Sequence, residues 1–192
     1  MIRAFVENLL EAFRDPRESA RRIIAKRMGM ADCLLMVVLA FAVQGLLAGV
    51  LSLGDGREGP GLVARAAELG LQVVLYLVLA TAVHRVGARF GGHAGPEASA
   101  AVVAWHYLVT AFLAPLNVIG MRSVGSEGAL GLGFLLVPLS VGLSIWLFAS
   151  FVAEAHGFRK LGPVIAVSVG GFMALGLITM TFLALVSGGS PG

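Results

Sequence analysis

Apolar residues in this chain come in long runs, separated by short polar clusters. Five runs, at 31–53, 69–86, 98–121, 129–153 and 163–186, approach or exceed the roughly 20 residues that a helix needs to cross a bilayer. The pattern ahead of the first run is different. Ile2, Phe5, Val6, Leu9, Leu10 and Phe13 recur at helical spacing, with Glu7, Asn8, Glu11 and Arg14 between them. That spacing predicts an amphipathic helix, either lying at the membrane interface or packed on the other helices. Asp15, Pro16 and Glu18 then restart the helix. They supply an N-cap, a residue suited to the first helical position, and an acid where a capping box places one. The predicted architecture is an all-α integral membrane protein of five transmembrane helices, preceded by an amphipathic N-terminal helical segment. A juxtamembrane segment at 1–29 leads into a membrane domain at 30–187 and a short exterior tail at 188–192.

The stretch "RFGGHAGPEAS" between the second and third runs raises the question of a phosphate-binding loop. It carries no Lys, and its glycines do not fit a nucleotide-binding spacing. Turn chemistry accounts for it. Gly91 and Gly92 allow positive φ at the end of one helix, and Gly95 and Pro96 start the next with Glu97 near its positive end. The stretch is a hairpin between spans.

Composition supports the same class: 58% of residues are hydrophobic and 13% charged, against about 25% charged in soluble domains. Charge placement predicts the orientation. Arg3, Arg14, Arg17, Arg21, Arg22, Lys26 and Arg27 precede the first run, and Arg85, Arg89, Arg159 and Lys160 fall on the same side. Arg57, Arg65 and Arg122 fall on the other. Eleven cations against three put the N-terminus in the cytoplasm and the C-terminus outside. The charged residues before the first run do not suit a signal peptide, so that span is expected to be retained. Arg17, Arg21, Arg22, Lys26 and Arg27 are expected to meet anionic lipid headgroups, and no nucleic-acid partner is expected. Cys33, the single cysteine, is expected to pack like a small apolar group.

Several segments carry a family resemblance. They are the arginine-flanked "FGG" turn, the helix "AWHYLVTAFLAPL", the juxtamembrane "DPRESARRI", and "IWLFASFVAEAHGFRKLGPVIAVSV" with Trp146 before a polar turn. Together they resemble the Yip domain family of multi-span membrane proteins. The resemblance implies five transmembrane helices, a cytoplasmic N-terminus and an exterior C-terminus. It also implies kinship with eukaryotic members that act as Rab-GTPase partners and membrane-shaping proteins. The composition here points to a bacterial inner membrane protein.

Polar groups at membrane depth are costly and so are candidates for function. Asp32, Gln44, Gln72, His84, His106, Asn117 and Glu154 draw attention, with Asp32 close enough to the boundary to be solvated. Placing the second span on the fourth at an offset of 70 matches Tyr76 with Trp146, Gly87 with Gly157 and His84 with Glu154. The match suggests two tandem hairpins and a His84–Glu154 pair. His84 and His106 differ in depth by roughly 10–12 Å at 1.5 Å per residue, too much for a shared ion. His93 and His156, in turns, are expected to be exposed. Gly45 and Gly49 form GxxxG, and Ala166, Gly170 and Ala174 place small residues at i, i+4 and i+8. Both stripes permit close helix approach, chiefly within the chain. No nucleophile–base set, metal site or cofactor site is evident. The expected function is a non-enzymatic scaffold acting through the membrane, a protein partner or a homo-oligomer. The alternative is a small-solute or ion transporter. A common polar cavity formed by His84, His106, Asn117 and Glu154 would favour transport.

Overall fold

The computed structural model describes residues 2–52, 61–124 and 130–187. Among these residues the regular structure is entirely helical. In order the helices are α1 (Ile2–Arg14), α2 (Pro16–Ala25), α3 (Met30–Ser52), α4 (Leu62–Arg89), α5 (Pro96–Ala111), α6 (Ala114–Val124), α7 (Leu130–His156) and α8 (Leu161–Ser187). Helices α3, α4 and α7 are each long and apolar enough to cross a membrane, and α5 with α6 makes a fourth candidate bent by 48°. The fifth expected span coincides with α8, whose described apolar part is the shorter Leu161–Ala174. The expected tail at 188–192 lies outside the described residues.

Helix α5 is the axis of the bundle. It packs on α3, α4, α7 and α2, and Ser99–His106 together with Leu108, Val109 and Ala111 are buried. Its small residues Ala100, Ala101 and Ala104 let neighbours approach, while Trp105 and Leu108 fill the space between them. Tyr76 from α4 and Leu147 and Phe151 from α7 complete this fully buried layer. Between apolar helices in lipid the gain is van der Waals contact rather than exclusion of water.

The predicted caps form. Asp15 accepts the Glu18 backbone N–H at 3.1 Å with Pro16 in the first turn. The Glu18 side chain does not return to Asp15 as a capping box requires; it binds Arg21 and Arg22. Asp32 reaches back from the first turn of α3 to the Gly29 N–H at 3.1 Å, the second half of a capping box.

Helices α4 and α7 end in the same way. After α4, Gly91 has φ 81, its N–H donates to the Ala88 carbonyl, and the Gly92 N–H donates to Gly87. After α7, Gly157 has φ 73, its N–H donates to Glu154, and the Phe158 N–H donates to Ala153. Both are Schellman turns, whose left-handed position favours a residue without a Cβ. Only Gly91, not Gly92, takes the positive φ expected of the pair. The equivalence of Gly91 with Gly157 also replaces the offset of 70. By backbone geometry the matching position lies four residues later, so Gly87 and Gly157 are not counterparts.

Candidate functional site

Among the described residues, two places gather polar side chains. The first is the basic end of the bundle, where α1 and α2 are fastened across α5 and α7. Trp105 points its indole Nε1 at Ser19 Oγ, 3.0 Å away, and Ser19 Oγ in turn donates to the Asn8 carbonyl at 3.2 Å. Phe5 meets the Trp105 ring edge-on, with centroids 6.1 Å apart. Arg21 Nε donates to Glu154 Oε1 at 3.0 Å and its Nη1 to Glu18 at 2.8 Å. The Arg21 guanidinium is held above its ordinary pKa by the Glu154 hydrogen bond first, then by the charges of Glu154 and Glu18. Arg17 Nη2 donates to the carbonyls of Phe158 and Arg159, tying α2 to the α7–α8 turn.

The amphipathic α1 therefore packs on the bundle through Phe5, Leu9, Ala12 and Phe13. Val6 and Leu10 remain 43% and 53% exposed beside that seam. Of the five cations expected at headgroups, Arg17, Arg21 and Arg22 already hold partners within the chain. Lys26 and Arg27 are exposed and make no ion pair among the described residues. Arg27 closes α2 at φ 48, a left-handed conformation that costs a non-glycine residue about 1 kcal/mol.

His84 and Glu154 do not pair. His84 Nδ1 lies 3.1 Å from the Ala94 carbonyl, inside the α4–α5 turn, and Glu154 is taken by Arg21. His156, expected to be exposed, is 1% exposed. Its ring stacks on Phe158 at 5.4 Å and lies against Gly87 and Gly92, where an added Cβ would collide with it. The two Schellman turns bring these glycines to the end of α7, and their bare Cα atoms make the space the imidazole fills. The His93 N–H donates to the His156 carbonyl at 3.4 Å.

The second place is a cavity of about 390 Å³ between α3, α4, α5, α6 and α7. Gln44, Gln72, Tyr107, Thr110, Asn117, Ser140 and Ser144 all line it. Ser140 Oγ donates to Asn117 Oδ1, and Ser144 Oγ lies 3.4 Å from His106 Nε2. His106 is buried, edge-on to Phe148 at 5.1 Å, and its Nδ1 has no hydrogen-bond partner among the described residues. The break between α5 and α6 aims Asn117 at α7. Pro115 has no N–H for the Ala111 carbonyl, and tighter bonds, Phe112 N–H to Val109 and Leu113 N–H to Thr110, close the turn. Pro138 sits inside α7, the helix across the cavity, and is itself exposed. Of the four polar candidates, Asn117 lines this cavity and His106 touches its Ser144. His84 and Glu154 belong to the basic end. Every polar lining group is uncharged, and among the described residues no group of three or more His, Cys, Asp or Glu is placed to hold a metal ion.

The small-residue stripes lie elsewhere than their spacing suggested. A Cβ placed on Gly45, Gly49 or Gly170 meets nothing within 4 Å, and Ala166, Gly170 and Ala174 are exposed. They line the outside of the bundle instead of its intrachain contacts, because α5 already fills the centre with its own alanines. The Ser19–Trp105 link escapes sequence reading. A serine on the buried face of α2 was its only signal, and nothing marks a tryptophan 86 residues later as its partner.

A bundle of apolar helices with its polar end groups tied down by side chains defines an integral membrane protein of the multi-span helical class. Comparison with known families gives the rest. The family model described as the Yip1 domain matches residues 10–183, nearly the whole described bundle, and the chain belongs to that family. No curated protein and no solved structure matches the chain.

Proposed function

We propose that the protein is a non-enzymatic membrane-organising scaffold, with its N-terminal helices forming a fixed cytoplasmic plate. The observation that carries this reading is the fastening of α2 by Trp105–Ser19, Arg21–Glu154 and Arg17 on the α7–α8 turn, with α1 held through the Ser19–Asn8 bond and Phe5 against Trp105. A segment that only covered the membrane surface would not need three separate ties to the bundle. The plate presents Val6 and Leu10 as an apolar ridge, and its exposed Lys26 and Arg27 serve as cations for anionic headgroups. On this reading five spans cross a bacterial inner membrane, with the C-terminus outside. The open stripes at Gly45 and Gly49 and at Ala166, Gly170 and Ala174 suit close approach by a second copy or a partner helix.

The neutral cavity around Asn117 and Ser140 supports a second reading, binding and passage of a small uncharged solute. Against passage, the half of the bundle toward the basic end is filled by buried Val102, Val103, Trp105 and Leu147. Crosslinking with mass spectrometry on the chain purified in mild detergent separates the two. Scaffolding predicts crosslinks from photoreactive diazirine residues placed at Leu10 and Val6 to a second copy or to one reproducible partner protein. A retained solute that is lost on His106→Ala or Ser140→Ala, with no crosslinked protein, contradicts it.

A further inference from the structure

Helices α4 and α8 both lean on α7 and make no extensive contact with each other among the described residues. The gap between them is a groove of about 600 Å³. Val78 and Val86 form one wall, Val167 and Gly171 the other, and Phe148 and Val152 the floor. At one end alone the lining becomes charged, with Arg159 and Lys160. Both are exposed and make no ion pair among the described residues. Helix α8 begins at Leu161, directly after them, and its first N–H groups add partial positive charge at the same place. Along α8 the groove runs from Pro163 to Ala174, roughly 16 Å at 1.5 Å per residue. One leaflet of the hydrocarbon core is about 15 Å deep.

An apolar trough one leaflet long, capped by two free cations and a helix N-terminus, matches one molecule: a phospholipid with an anionic head. We propose that this groove is a selective site for an anionic phospholipid of the leaflet at the basic end. Its acyl chain lies between α4 and α8, and its phosphate sits against Arg159 and Lys160. A second copy of the chain fits less well, because among the described residues the lining holds two cations and no carboxylate. The site is separate from the plate, whose cations lie on α2. Arg17 supports it indirectly, since its bonds to the Phe158 and Arg159 carbonyls fix the turn that carries both cations.

The test is native mass spectrometry of the full chain in mild detergent with equimolar phosphatidylglycerol and phosphatidylcholine of matched chains. One phosphatidylglycerol should be retained per chain, with a preference of about twenty-five-fold if each cation contributes about fivefold. The double variant Arg159→Gln/Lys160→Gln should bring the two lipids to parity. Gly171→Leu, at a position where an added Cβ meets nothing within 4 Å, should lower retention of both lipids with the cations intact. Unchanged melting temperatures in detergent would confirm that both variants fold. Equal retention of the two lipids by the parent chain overturns the proposal. So does a preference that survives Arg159→Gln/Lys160→Gln, or one lost only in Arg22→Gln/Lys26→Gln/Arg27→Gln, which would place the lipid at α2. Failure of the plate to crosslink any protein leaves this result untouched, because the readout is lipid alone.

Discussion

The imidazole of His156 occupies the space where Gly87 and Gly92 have no side chains. Gly87→Ala or Gly92→Ala should therefore lower thermal stability in detergent by about 1–3 kcal/mol, the range for overpacking a filled site. In a His156→Ala background the same glycine changes should cost far less, and a double-mutant cycle measures the difference. Additive costs would show that the ring and the glycines do not share the space. Trp105 gives a second case. Ser19→Ala leaves a buried indole N–H unpaired and should cost about 1–3 kcal/mol, more than the loss of an ordinary hydrogen bond. The turn glycines were legible in the sequence as helix stops, because positive φ is a local demand. The burial of His156 was not. It depends on two helix ends 66 residues apart, Gly91 and Gly157, arriving side by side.

The α5–α6 break sets the shape of the polar cavity. The apolar run at 98–121 reads as one continuous span, and Pro115 within it marks the only local reason for a bend. Pro115→Ala restores an N–H for the Ala111 carbonyl, so the 48° bend should relax. Spin labels at Ala98 and Ile119 should then report a longer, narrower distance distribution than in the parent chain. An unchanged distribution would assign the bend to the Asn117–Ser140 contact instead. Element positions were largely legible, since hydropathy alone locates α3, α4, the α5–α6 pair, α7 and α8. Partner choice among them was not. Small residues at helical spacing permit close approach but do not name a partner, and α5, not the glycine stripes, took the centre.

For the whole molecule, the chain joins an apolar bundle of the Yip1 domain family to an N-terminal pair of helices that bundle side chains hold in place. Amphipathicity in the first 14 residues suited both a surface helix and a packed one. The bonds from α5 and α7 choose packing, through a tryptophan and a glutamate that no local pattern connects to α1 or α2. Glu154→Gln weakens one tie and Ser19→Ala another, so the two together should loosen the plate more than either alone.

On the scaffold reading this plate is rigid. The most direct measurement is the spin–spin distance between labels at Ala25→Cys and Gly162→Cys, on a Cys33→Ser background in lipid nanodiscs. A single narrow distribution in the parent chain, broadened by Glu154→Gln with Ser19→Ala, is the predicted result. A broad distribution already present in the parent chain would contradict the fixed plate and the scaffold reading built on it.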